Sequence, residues 1–90
     1  MDKIWIPQED VNSQGADIVR WVKEENGLVE KNEAVCEVET SKAIFEVLAP
    51  NDGYLIHLSE EGEFVEYNQA IGIIASDEIE LAKLISEKLH

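Results

Sequence analysis

Lys42 stands in a polar triplet, Thr40-Ser41-Lys42, between two runs that alternate apolar and polar residues. Before it, Cys36 and Val38 share one parity and Glu37 and Glu39 the other; after it, Phe45 and Val47 share a parity with Glu46 opposite. Period-2 alternation on both sides of a short polar turn predicts a β-hairpin with the lysine at its tip. An amine held there is open to an enzyme from several sides. It can form an amide with a carboxylic acid, which removes its charge. Lysine stem and acid then make one long tether, which raises the effective concentration of the attached group at every active site within reach. The same pattern fits a solvated lysine on a polar loop, and the hairpin alone leaves both readings open.

Other reactive side chains point away from an enzyme. His57 and His90 are far apart in sequence and form no metal-ligand spacing with Cys36. No Ser-His-Asp, P-loop or dinucleotide-binding signature is present. No catalytic residue and no metal ligand is therefore assigned. Cys36, the single cysteine, falls on the inward parity, which predicts a buried structural thiol rather than a nucleophile.

The elements that must hold the hairpin come from an internal repeat. With a shift of 36 positions, residues 24–35 lie over 60–71. Glu24, Glu25, Val29, Glu30, Asn32 and Ala34 match their partners, and Leu28/Phe64, Val35/Ile71 and Val38/Ile74 are apolar in both copies. Each copy reads as a short apolar stretch (18–22 or 54–58), an acidic turn at Asn26-Gly27 or Gly62, a short extended piece, and a second turn at Asn32 or Asn68. Short β-branched runs between turn residues are strands, not helices. Pro50 and Gly53 close the second strand of the hairpin and open the second copy. Two such copies predict two small packed sheets related by a pseudo-two-fold axis, since neither half buries its apolar face alone.

Ninety residues make one domain with a modest core. The net charge of −13 disfavours nucleic acid and anionic membrane surfaces as partners and favours encounters with basic ones. It also favours a monomer. A lone cysteine fits a reducing compartment, and the expected location is the cytoplasm. The start, Met1 to Pro7, turns polar at once and does not read as a signal peptide. No apolar run approaches the ~20 residues that span a bilayer.

Residues 18–74 resemble the lipoyl/biotinyl carrier family. Trp21, the acidic turn, Val29, Asn32, Val35 and Val38 match that family's run into its modification site. Glu39-Thr40-Ser41-Lys42-Ala43 looks like the lipoyl attachment motif, usually Glu-Thr-Asp-Lys-Ala, so the resemblance makes Glu39, Thr40, Ser41 and Ala43 the recognition flank. Ala49-Pro50 and Gly53 match the family's Ser-Pro and Gly, and Glu61-Gly62-Glu63, Val65 and Gln69 match the second repeat's turn. Ser41 departs from the usual Asp, and Asn26-Gly27 from the usual Gly-Asp.

The resemblance implies an all-β barrel-sandwich hybrid of two four-stranded antiparallel sheets, with the lysine at one end and both termini near the other. It implies lipoate attached to Lys42 by a lipoylating ligase or transferase. The role would be a swinging arm between dehydrogenase and acyltransferase components of a 2-oxo acid dehydrogenase-type system. Biotin is the alternative cofactor, but biotin carriers usually place methionine on both sides of the lysine, and here the neighbours are Ser41 and Ala43. An unmodified interaction module is the other alternative. Glu37, Glu39 and Glu46 fit either recognition by a modifying enzyme or a solvated strand face.

The carrier domain is expected over residues 1–75, with residues 76–90 as an amphipathic helix or linker. Leu81, Leu84, Ile85, Lys88 and Leu89 recur at helical spacing, Asp77 and Glu80 resemble a capping pair, and acids lead while lysines trail. This predicts a helix over 77–89 that needs a surface to lie on.

Overall fold

The computed structural model describes residues 1–8 and 14–88. Eight strands and one helix follow in order: β1 (Asp2–Trp5), β2 (Gly15–Trp21), β3 (Leu28–Val29), β4 (Ala34–Glu39), β5 (Ile44–Leu48), β6 (Gly53–His57), β7 (Phe64–Glu66), β8 (Ala70–Ala75) and α1 (Glu78–Lys88). They form two antiparallel four-stranded sheets, ordered β1-β8-β6-β3 and β5-β4-β2-β7. The two orders are the same arrangement read from the two copies: β6 stands where β2 does, β8 where β4 does, and β3 where β7 does. Ile4, Ile18, Val29, Val38, Val47, Leu55, Val65, Ile71 and Ile74 are almost fully buried between the sheets.

The predicted alternation holds along the hairpin except at one place. Val35, on the outward parity, is as fully buried as Cys36. The pairing register of β4 with β5 shifts between Ala34 and Cys36, and this bulge turns both neighbours inward.

The pseudo-two-fold axis runs through two residues 36 positions apart, Trp21 and His57. Their rings stack at 3.9 Å with 9° between planes. Around them the hydrogen bonds are reciprocal. The Trp21 backbone N–H donates to the Glu61 carboxylate, and that of His57 to the Glu25 carboxylate, each at 3.0 Å. Trp21 Nε1 donates to the Ser59 carbonyl at 2.9 Å, and His57 Nε2 lies 3.0 Å from the Lys23 carbonyl. A carbonyl only accepts, so the proton of neutral His57 sits on Nε2.

Burial pushes the His57 imidazole below its ordinary pKa of 6.5, against the pull of the Lys23 carbonyl, Glu25 and Glu61; Lys88 adds to the depression. The folded state therefore holds His57 neutral where the unfolded chain protonates it. That contribution to stability is complete above pH ~6.5 and is lost as pH falls through the folded value. A His57→Gln chain should show a flatter decline in Tm than the wild type below pH ~6.5, read by thermal melts across pH.

α1 lies on the outer face of the sheet that contains β6 and β8. Its Leu84 is buried with Ile56 and Ala75, and Leu81, Tyr54 and Ile73 pack around them. The helix begins as its sequence indicates: the Glu80 N–H donates to the Asp77 carboxylate at 2.8 Å. The Glu80 carboxylate reaches back one residue further than in a capping box, accepting from the Ser76 N–H at 2.9 Å. Lys88 near the C-terminal end pairs with Glu25. Leu89 and His90, which the helical reading and the search for metal ligands included, lie outside the described residues. Removing the Leu84 side chain takes most of the apolar seal with it. Leu84→Ala should cost about 2 kcal/mol and lower Tm by roughly 10 °C in a calorimetric or circular-dichroism melt.

Candidate functional site

The Lys42 turn is a two-residue connection, Ser41-Lys42, between flanking residues that bond each other. The Thr40 N–H donates to the Ala43 carbonyl at 2.9 Å. The Thr40 hydroxyl oxygen accepts from the N–H groups of both Lys42 and Ala43, each at 3.3 Å. A hydroxyl that bonds its own backbone two and three residues on is why threonine suits this position. The positive-φ residues other than glycine among the described residues are Asn26 and Asn32, so Ser41 and Lys42 form the turn without that geometry. Ser41, Lys42 and Ala43 are exposed, and Thr40 is half-buried.

Below the turn, β4 and β5 pair from Glu39↔Ile44 to Ala34↔Leu48. Opposite the lysine, the hairpin is tied down: the Asn32 N–H donates to the Ala49 carbonyl, that of Ala49 to the Glu33 carbonyl, and that of Lys31 to Asp52. Asp2 accepts from Asn51 at this same end, where Tyr54 pairs with Ala75 just before α1. The chain start and the start of the helix thus lie at the end away from Lys42.

The recognition flank named from the sequence is brought together: Glu39, Thr40, Ser41 and Ala43 all surround Lys42 on one turn. Glu37 is half-buried and holds Arg20 through an ion pair at 2.5 Å, while Glu46 is exposed beside it in the sheet. Asp17, which no sequence pattern singled out, and Phe64, marked only as an apolar position of the repeat, stand next to the turn. With Gly15, Glu39, Thr40 and Ser41 they line an open cleft of about 500 Å³. A separate cleft of about 570 Å³ lies at the pseudo-two-fold axis around Trp21 and His57.

Cys36 is fully buried. Burial, with Glu61 and Glu37 adding to it, pushes its thiol up to about 12, so it holds its proton at neutral pH and is no nucleophile. Among the described residues, no group of three or more His, Cys, Asp or Glu side chains is placed to hold a metal ion. No helix among them is long and apolar enough to cross a membrane.

The arrangement offers one exposed primary amine on a closed turn at the end of a rigid sheet, which suits covalent attachment better than bound-state chemistry. The family model described as biotin-requiring enzyme matches residues 3–74. The chain is 31% identical over 83 residues to dihydrolipoyllysine-residue acetyltransferase component 3 of the mitochondrial pyruvate dehydrogenase complex of Arabidopsis thaliana, covering 90% of this chain and 15% of that protein. It is 33% identical over 75 residues to the dihydrolipoyllysine-residue succinyltransferase component of the 2-oxoglutarate dehydrogenase complex of Staphylococcus saprophyticus, covering 82% of this chain and 18% of that protein. The chain therefore spans less than a fifth of these relatives. The solution structure of the lipoyl domain of the 2-oxoglutarate dehydrogenase complex from Azotobacter vinelandii superposes with a TM-score of 0.67 at 25% identity. That match covers 82% of this chain and 95% of the lipoyl domain.

Proposed function

The chain belongs to the biotin/lipoyl attachment family, and from that premise we propose that it carries lipoate in an amide bond to Lys42. The observation that carries this reading is the exposed Lys42 at the tip of a hydroxyl-closed turn, at the end of the fold away from the chain start and the start of α1. A rigid base with its amine at the far end gives an attached acid the longest reach. When bound, lipoate supplies a dithiolane that accepts acyl groups and electrons. The protein's own residues supply the anchor and its orientation: Thr40 fixes the turn, and the β4–β5 pairing fixes the direction in which the lysine stem leaves.

Its relatives are acyltransferase components of 2-oxo acid dehydrogenase complexes. On that basis the chain serves as a swinging-arm domain in a system of this type, loaded by a lipoylating ligase or transferase and visiting dehydrogenase and acyltransferase sites. Residues 76–88 belong to the carrier unit, with α1 covering the β1-β8-β6-β3 sheet.

Lipoate is preferred to biotin because Lys42 is flanked by Ser41 and Ala43. The chain, offered a lipoylating and a biotinylating enzyme with both acids at equal concentration, should gain the lipoyl adduct. A biotinyl adduct at equal or greater yield would reverse the cofactor assignment. Absence of both adducts from a folded sample would remove the carrier reading.

A further inference from the structure

The sheet register sets four side chains in one row directly beneath the Lys42 turn. Ile44 pairs with Glu39, Glu39 with Asp17, and Asp17 with Phe64. The row crosses all four strands in the order β5-β4-β2-β7. Directly paired residues share a face. All four are on the outer one, with Ile44 59% and Phe64 53% exposed. Two carboxylates thus sit side by side between two apolar side chains. The cleft beside the turn opens onto Asp17, Glu39 and Phe64.

The internal repeat supplies a control for this face. On the other sheet the corresponding outer surface carries Ile56 and Ile73, and α1 covers it. The 36-residue shift places Arg20 over Ile56 and Glu37 over Ile73. At these two positions one copy is apolar beneath α1, while the other is charged and, among the described residues, not covered by a helix. On this charged face, Phe64 and Ile44 keep more than half of their surface open to solvent. Apolar side chains around a polar centre, next to a reacting group, have the composition of a contact surface.

We propose that the row Ile44-Glu39-Asp17-Phe64 is the docking surface for the enzyme that attaches the lipoyl group to Lys42. The partner presents an arginine or lysine to Asp17 and Glu39 and apolar side chains to Ile44 and Phe64. This rests on the carrier reading of Lys42. In the reaction served, lipoate and ATP give a lipoyl adenylate with release of pyrophosphate; the Lys42 amine then forms an amide with its carboxyl carbon, AMP leaves and the amine gives up a proton. The chain's charge of −13 draws a basic partner in, the paired carboxylates orient it, and the flanking apolar contacts hold it. Such a contact is small, which suits an enzyme that must release its product.

The test is steady-state loading of the full chain by a purified lipoate–protein ligase with lipoate and ATP. Two double variants are compared with wild type: Asp17→Lys with Glu39→Lys, and Ile44→Ser with Phe64→Ser. Folding of each is checked by a thermal melt. Each should raise KM for the chain about tenfold, with kcat changed less than about twofold. Wild-type kcat/KM should fall with rising salt, and the charge-reversed variant should lose that dependence. Glu30→Lys with Glu87→Lys makes the same change in net charge away from the row and should load nearly as wild type. Unchanged kcat/KM in the two row variants, or an equal loss in the Glu30/Glu87 control, would overturn the docking surface while leaving Lys42 as the anchor. A folded wild-type chain that is never loaded would overturn the carrier reading, and this row's role with it.

Discussion

A Lys42→Arg chain co-produced with a lipoylating enzyme will leave the cell at its unmodified mass, while the wild-type chain gains a lipoyl adduct. The expected loss is complete. A guanidinium keeps its proton at any physiological pH and offers no amine lone pair for amide formation. The substitution leaves the turn in place, because position 42 contributes its backbone N–H to Thr40 and its side chain is exposed. Tm should therefore stay within a few degrees of wild type, in line with the ±0.5 kcal/mol usual for exposed sites. The other lysines give no substitute. Lys23 pairs with Glu33 and Lys88 with Glu25, and Lys3 lies on β1. None is on the hairpin. Full loading of the Lys42→Arg chain would move the anchor elsewhere.

Gly53→Ala should be strongly damaging to the scaffold. Gly53 opens β6 with φ at +152°, a backbone conformation that residues with a Cβ rarely adopt. A methyl group there would sit 2.2 Å from the Ala75 carbonyl oxygen and 2.6 Å from the Ile74 side chain. The carbonyl belongs to β8, the central partner of β6, so the strands would have to separate along Tyr54↔Ala75 and Leu55↔Ile74. Strain and lost packing together should cost at least about 3 kcal/mol, which lowers Tm by roughly 15 °C. A melt within about 5 °C of wild type would show that β6 and β8 do not approach this closely.

The hairpin was legible in the sequence because its signals are local. The alternation of Cys36 and Val38 against Glu37 and Glu39, and of Phe45 and Val47 against Glu46, sets the strand faces, and Thr40-Ser41-Lys42 marks the turn. The two-sheet architecture was legible for a different reason: the repeat doubles every turn signal. What stayed hidden depends on pairing between distant strands. Asp17 and Phe64 join Glu39 and Ile44 only through the β2–β4 and β2–β7 registers, and a bulge between Ile18 and Arg20 shifts the first of these. No local pattern reports that shift. The inward turn of Val35 has the same origin in the β4–β5 bulge.

The Trp21–His57 stack shows a subtler limit. The 36-residue shift that exposes the repeat also places these two positions over each other. They are of different types, so identity did not mark them. Yet in three dimensions they occupy the axis and exchange equivalent hydrogen bonds with the opposite turns. The tail's helical spacing was readable, but its resting place was not. The short link from β8 sets α1 beside this sheet, and the apolar Ile56 and Ile73, where the other outer face has Arg20 and Glu37, give it a surface to cover.

The most direct measurement is peptide mapping by tandem mass spectrometry of the wild-type chain after co-production with a lipoylating enzyme. The account predicts one lipoyl adduct per chain, on the peptide that contains Thr40-Ser41-Lys42-Ala43, and none on Lys3, Lys23, Lys31, Lys83 or Lys88. A folded chain with no adduct, or with its adduct on another lysine, would contradict it.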